Sequence, residues 1–133
     1  LAPVRSHLRQ KDLGTLPRNV HVTDWLPAHQ LGDSVDLAIT HGGEGTVQTS
    51  CAQGWPFIGI PLQLEQRFNV QRCVAFGSAR LVSRREARRT DWAELVRQAL
   101  ADDGMRSRAR RMAEFMEGLD GPGRATEAIC ELM

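Results

Sequence analysis

Apolar positions fall in short blocks along this chain, and their spacing changes from block to block. Val20–Trp25 alternates with a period of two and predicts a strand, closed by Pro27, with a short helix near Ala28–Leu31. Asp36–Thr40 and Phe57–Ile60 are brief continuous apolar runs, as expected of strands buried on both faces of a parallel sheet. Ala79–Val82 is a candidate edge strand. Between the strands, Thr46–Ala52 (closed by Gly54) and Gln66–Phe76 (ended by Gly77) read as helices. A further short helix is expected around residues 4–11.

The C-terminal third is helical. Trp92, Leu95, Val96, Ala99 and Leu100 form one apolar stripe behind a cap at Thr90 or Asp91. Met105, Ala109, Met112, Ala113 and Met116 form a second stripe. Gly121-Pro122-Gly123 is expected to break the chain before a last helix, Ala125–Leu132. Strands alternating with helices in this way imply an α/β fold: a doubly wound, Rossmann-like parallel sheet with helices on both faces and a helical C-terminal tail. Such sheets bind ligands beyond the carboxyl ends of their strands. The loops after Trp25, Thr40 and Ile60 are therefore where function should sit.

Composition narrows the class. The 133 residues suit one domain, and the formal charge of +1 argues against a nucleic-acid partner. The excess of arginine in residues 80–111 is accompanied by one aromatic residue, Trp92, which belongs to an apolar helical stripe; there is no interleaved platform on which bases could stack, so the arginines read as a solvated face. No apolar run approaches the ~20 residues of a membrane-spanning helix. Cys51, Cys73 and Cys130 lack the paired spacing of a disulfide framework or a zinc site, so reduced thiols and a cytoplasmic location are expected.

Candidate chemistry is concentrated in Thr40-His41-Gly42-Gly43-Glu44-Gly45-Thr46, a strand end followed by a glycine-rich turn and a helix start. Glycines let the backbone approach a ligand closely, and first-turn N–H groups with the helix dipole favour an anion. Thr46 adds a hydroxyl and His41 a ring donor. The segment lacks the lysine of a Walker loop and does not match G-x-G-x-x-G. Alone, it is equally a tight strand-to-helix connection.

Its surroundings add an order of motifs: Trp25-x-Pro27, then His41-Gly42-Gly43-x-Gly45-Thr46, then Gly54-x-Pro56, a strand ending in Pro61, and Glu65-Gln66-x-x-Asn69. This succession resembles the donor-binding half of the GT-B nucleotide-sugar glycosyltransferases, the family of UDP-glycosyltransferases and bacterial antibiotic glycosyltransferases. The resemblance is close over residues 17–80 and looser beyond. It implies that Trp25 stacks on the donor base and that Leu26 offers backbone groups to the base edge. It implies a diphosphate site at His41, Gly42, Gly43, Gly45 and Thr46, a ribose region at Thr49, and a sugar site at Glu65 and Gln66. Asn69 would brace the loop from behind.

Two positions depart from the family pattern. Glu44 is a carboxylate beside the expected diphosphate, so its side chain should point outward. Thr49 stands where many UDP-sugar enzymes carry a ribose-gripping glutamate, and a threonine cannot accept two hydroxyls at once. A dTDP-sugar donor, whose deoxyribose lacks the 2′-hydroxyl, is the expectation. The implied reaction moves a sugar from the nucleoside diphosphate to an acceptor hydroxyl, with no metal and no other cofactor. Family members carry the acceptor site and general base in a preceding domain, and a complete donor domain opens with a strand, a helix and a second strand. Leu1-Ala2-Pro3 resembles the tail of that second strand. The expectation is thus a single N-terminally truncated donor domain, residues 1–133, meeting its small-molecule acceptor through an absent N-terminal domain and inactive alone. His7, His21 and His29 are assigned surface or cap roles. A stand-alone donor-binding subunit and a nucleotide-sugar epimerase are the alternatives.

Overall fold

The computed structural model describes residues 14–132. The helix expected around 4–11, the strand tail at residues 1–3 and His7 lie outside them. The chain divides into two compact units, the first ending at Leu31 and the second beginning at Gly32.

In the second unit the order is β1 (Ala38–Thr40), α1 (Glu44–Ala52), β2 (Phe57–Gly59), α2 (Leu64–Phe76) and β3 (Ala79–Leu81). Three helices follow: α3 (Trp92–Leu100), α4 (Asp103–Glu117) and α5 (Gly121–Glu131). The strands form a parallel sheet in the order β1-β2-β3, with Ala38, Phe57 and Ala79 in register. The strands are parallel and the loops after β1 and β2 run directly into helices. The N-termini of α1 and α2 therefore share the sheet's carboxyl edge.

Period-two alternation gives the sheet two buried faces. Phe57 packs with Val47 of α1, Val70 and Cys73 of α2, and Ala79. Ile58, its neighbour in the chain, faces the other way and packs with Val82 and Ala99, flanked by Trp92, Leu95 and Val96 of α3. Phe57, Ile58 and Val70 are the largest fully buried side chains. Each contributes about 1.5–3 kcal/mol from burial. The doubly wound α/β reading is thus correct, and the apolar stripe of α3 is a core contact. Cys73 is buried against half-buried Cys51, sulfur to sulfur at 3.8 Å, while Cys130 is exposed.

Three expected boundaries move. No strand runs over Val20–Trp25, where only Val22 forms an isolated bridge. The Thr23 hydroxyl donates to the Trp25 carbonyl at 2.9 Å, a local side-chain bond to the backbone two residues on of the kind that competes with regular structure. The expected short helix at Ala28–Leu31 is a single 3-10 turn, Ala28–Gln30. Lastly, Gly121-Pro122-Gly123 does not break the chain but forms the first turn of α5, capped by the Asp120 carboxylate on the Gly123 amide at 2.8 Å. Proline is tolerated there because first-turn amides have no intrahelical acceptor.

Candidate functional site

The loop after β1 is shaped by packing beneath it. Gly42 is buried with φ +85°, a conformation that suits glycine, and a Cβ there would overlap Val70 Cγ2 of α2. Gly59 of β2 meets the same valine, whose methyls would lie 2.5 Å from an added Cβ. Val70 thus fits between the loop and the central strand, drawing α2 against both. Asn69, one residue earlier, fastens the loop by donating from Nδ2 to the Gly42 carbonyl at 3.3 Å and to the Glu65 carboxylate.

Above this floor, α1 begins without a side-chain cap. Gly43 is its N-cap in extended conformation, and the first helical bond runs from the Val47 N–H to the Gly43 carbonyl at 3.0 Å. The helices α3, α4 and α5 by contrast are capped by Asp91, Asp102 and Asp120. First-turn amides of α1 point out of the carboxyl edge with the positive end of the helix dipole. His41 is exposed, and its ring lies over Gly43, where an added Cβ would approach Nε2 to 2.5 Å. Its imidazole and the uncapped helix start therefore sit side by side.

Hydroxyls link the loop internally. The Gly42 N–H donates to Thr40 Oγ1 at 3.2 Å, Thr40 donates to Thr46 Oγ1 at 2.8 Å, and Thr46 donates to the Gly43 carbonyl at 2.8 Å. The Thr49 hydroxyl donates back to the Gly45 carbonyl at 2.8 Å. Glu44, the acidic residue of the first turn, accepts from Gln48 Nε2 at 3.2 Å, which holds its carboxylate along the outer face of the helix.

At the start of α2, Glu65 is exposed whereas Gln66 is nearly buried. Gln66 Oε1 accepts the amides of Leu62 at 2.9 Å and Gln63 at 3.3 Å, so its oxygen closes the helix N-terminus and only its NH2 remains to face a ligand. In the first unit Trp25 is 72% exposed, a bare indole, and Leu26 is half-buried.

The structure therefore gathers His41, Gly43, Gly45 and Thr46 at one helix start and ties Glu65 to their loop through Asn69. Gly42 is taken up by packing and by its bond to Thr40. Sequence reasoning passed over Thr40, although a hydroxyl residue ending a strand before a glycine turn was the available sign. Among the described residues no cluster of His, Cys, Asp and Glu could hold a metal ion, and no helix is long and apolar enough to cross a membrane.

A strand, a glycine turn and an uncapped helix at the carboxyl edge can be compared with known proteins. The family profile for the C-terminal domain of erythromycin biosynthesis protein CIII-like proteins matches residues 5–132. This chain belongs to that family. Among its relatives, oleandomycin glycosyltransferase of Streptomyces antibioticus is 35% identical over 122 residues, covering 89% of this chain and 27% of that protein. Demethyllactenocin mycarosyltransferase of Streptomyces fradiae is 29% identical over 118 residues, 89% of this chain and 26% of the relative. The calicheamicin glycosyltransferase CalG4 superposes with a TM-score of 0.81 at 28% identity over 92% of this chain and 32% of its own. The glycosyltransferase VinC, solved with dTDP, gives 0.76 at 24% identity over 82% and 28%. The fold is the one shared by these GT-B glycosyltransferases, as the motif order implied. This family member spans about a quarter to a third of the length of those proteins.

Proposed function

We propose that this chain is the donor-binding part of a glycosyltransferase, holding a nucleoside diphosphate-sugar whose sugar passes to an acceptor hydroxyl. The observation that carries the reading is the uncapped start of α1 with the His41 ring beside it. Charge builds on the diphosphate as the glycosidic bond breaks. First-turn amides of α1, the Thr46 hydroxyl and an imidazole donor at His41 are fixed donors that oppose that charge without reorganising. The reaction proposed therefore uses no metal. Glu65 takes the sugar hydroxyls, its carboxylate steadied by Asn69. The motif order alone supports Trp25 as the residue that stacks on the base. No residue of this chain is assigned as the general base, and the acceptor is bound by another part of the enzyme.

The proposed donor is a dTDP-sugar. Thr49 already donates to the Gly45 carbonyl and has no second group with which to grip a ribose diol. The fold admits dTDP, as the VinC complex illustrates for that protein. Isothermal calorimetry tests both parts. dTDP should bind more tightly than UDP, and His41→Ala should weaken dTDP by roughly tenfold to a hundredfold, the loss of one charge-assisted hydrogen bond. A clear UDP preference would sink the donor assignment. Unchanged diphosphate binding in the His41 variant would sink the role of the histidine.

A further inference from the structure

The hydroxyl chain in the loop carries an inference that rests on the donor-site reading and deepens it. We infer that Thr40, at the end of β1, is a positioning residue that commits the Thr46 hydroxyl to donate to the ligand's phosphate. Thr40 is itself fixed at both ends. It accepts the Gly42 N–H at 3.2 Å and gives its single hydrogen to Thr46 Oγ1 at 2.8 Å. Thr46 accepts that bond, so its own hydrogen must point elsewhere. It goes to the Gly43 carbonyl at 2.8 Å.

That carbonyl does not depend on the hydroxyl. It also accepts the Val47 N–H at 3.0 Å, the first bond of α1. When an anion arrives at the helix start, Thr46 can turn its hydrogen to a phosphate oxygen and leave no buried acceptor unpaired. Thr40 keeps its bond to Thr46 throughout. A donor to a charged oxygen is strengthened when it also accepts a hydrogen bond, because the two bonds polarise each other. Thr40 thus acts on the diphosphate without touching it.

Calorimetry with dTDP and with thymidine, which lacks phosphates, separates this role from general support of the fold. Thr40→Val keeps the β-branched shape and removes the hydroxyl. It should weaken dTDP by roughly fivefold, the scale of one net hydrogen bond, and leave thymidine unchanged. Thr46→Val should weaken dTDP at least as much. The double variant should bind dTDP no worse than Thr46→Val alone, since Thr40 acts through Thr46. Thr40→Ser should restore binding to within about twofold of the parent. Thr40→Ala serves as a second hydroxyl-free variant, and thermal melts verify that each protein is folded.

The inference is overturned if Thr40→Val leaves dTDP binding intact while Thr46→Val weakens it. Additive losses in the double variant, equal losses for dTDP and thymidine, or failure of serine to rescue would overturn it as well. If Thr46→Val and His41→Ala both leave dTDP binding untouched, the donor-site reading itself fails. That result is distinct from all the others.

Discussion

Val70 shows how one side chain can fix a loop. Its methyls occupy the space that a Cβ would need at both Gly42 and Gly59, so those glycines are set by packing. Gly59→Ala should therefore destabilise the protein by about 1–3 kcal/mol through overpacking of a full core. Val70→Ala alone should also destabilise, by removing buried methyls, but it should relieve the clash. Urea unfolding of the double variant should accordingly show less destabilisation than the two single losses combined. Strict additivity would mean that the valine does not set the requirement for glycine. The same residues mark what the sequence could disclose. A glycine turn after an apolar run announced the loop, but nothing local distinguished a glycine needed for φ from one needed for a ligand. Gln66 is similar. Its place in a motif suggested a ligand contact, whereas its oxygen is engaged with the amides of Leu62 and Gln63, a partnership that only the fold brings about.

Among the elements, legibility followed burial. β2, α3 and α4 were readable because their apolar residues face a core with the expected period, whereas α1 and α2 were legible from the glycines that end them, Gly54 and Gly77, since α2 leaves Leu64 and Phe68 exposed. Val20–Trp25 had the period without a described ladder, since alternation reports which side is apolar and not whether a neighbour is there to pair. Gly121-Pro122-Gly123 misled for the opposite reason: two glycines and a proline lie in the one turn that tolerates them, behind a good cap. Caps matter elsewhere too. Asp102 accepts the Met105 amide at 2.9 Å to start α4 and pairs with Arg80 of β3 at 3.1 Å, joining the helical tail to the sheet. The Met105 amide first, and Arg80 second, hold its carboxyl below the usual carboxylate value. A depressed folded value means that this stabilisation is fully present above the ordinary carboxylate range and is lost as pH falls through the folded value. Asp102→Ala should cost about 1 kcal/mol as a lost N-cap. Asp102→Asn, which can still cap, should cost less and flatten the acid limb of the stability profile. Thermal melts of the three proteins from neutral to acid pH provide the check, and parallel acid limbs in parent and Asn variant would refute the charge component.

For the molecule as a whole, stability is unevenly spread. β2 and α2 meet at Phe57 and Val70, while α5 has no buried residue among those described and leaves Ile129, and Leu132 just after its end, exposed. Among the described helices and strands, amide hydrogen exchange should be fastest in α5 and slowest in β2 and the centre of α2, because opening α5 exposes little apolar surface. Uniform protection across the chain would contradict that gradient. The bare start of α1 has a consequence for anyone trying to strengthen this protein. By the ordinary rules of helix design, Gly43 is a defect, and a change to Asp or Ser would recover a few tenths of a kcal/mol by supplying the missing cap. The new side chain would have to displace the His41 ring, and its oxygen would occupy the amides proposed to receive a phosphate. A search for thermostable variants would thus be drawn to this position, and each gain there would be taken from affinity for the ligand.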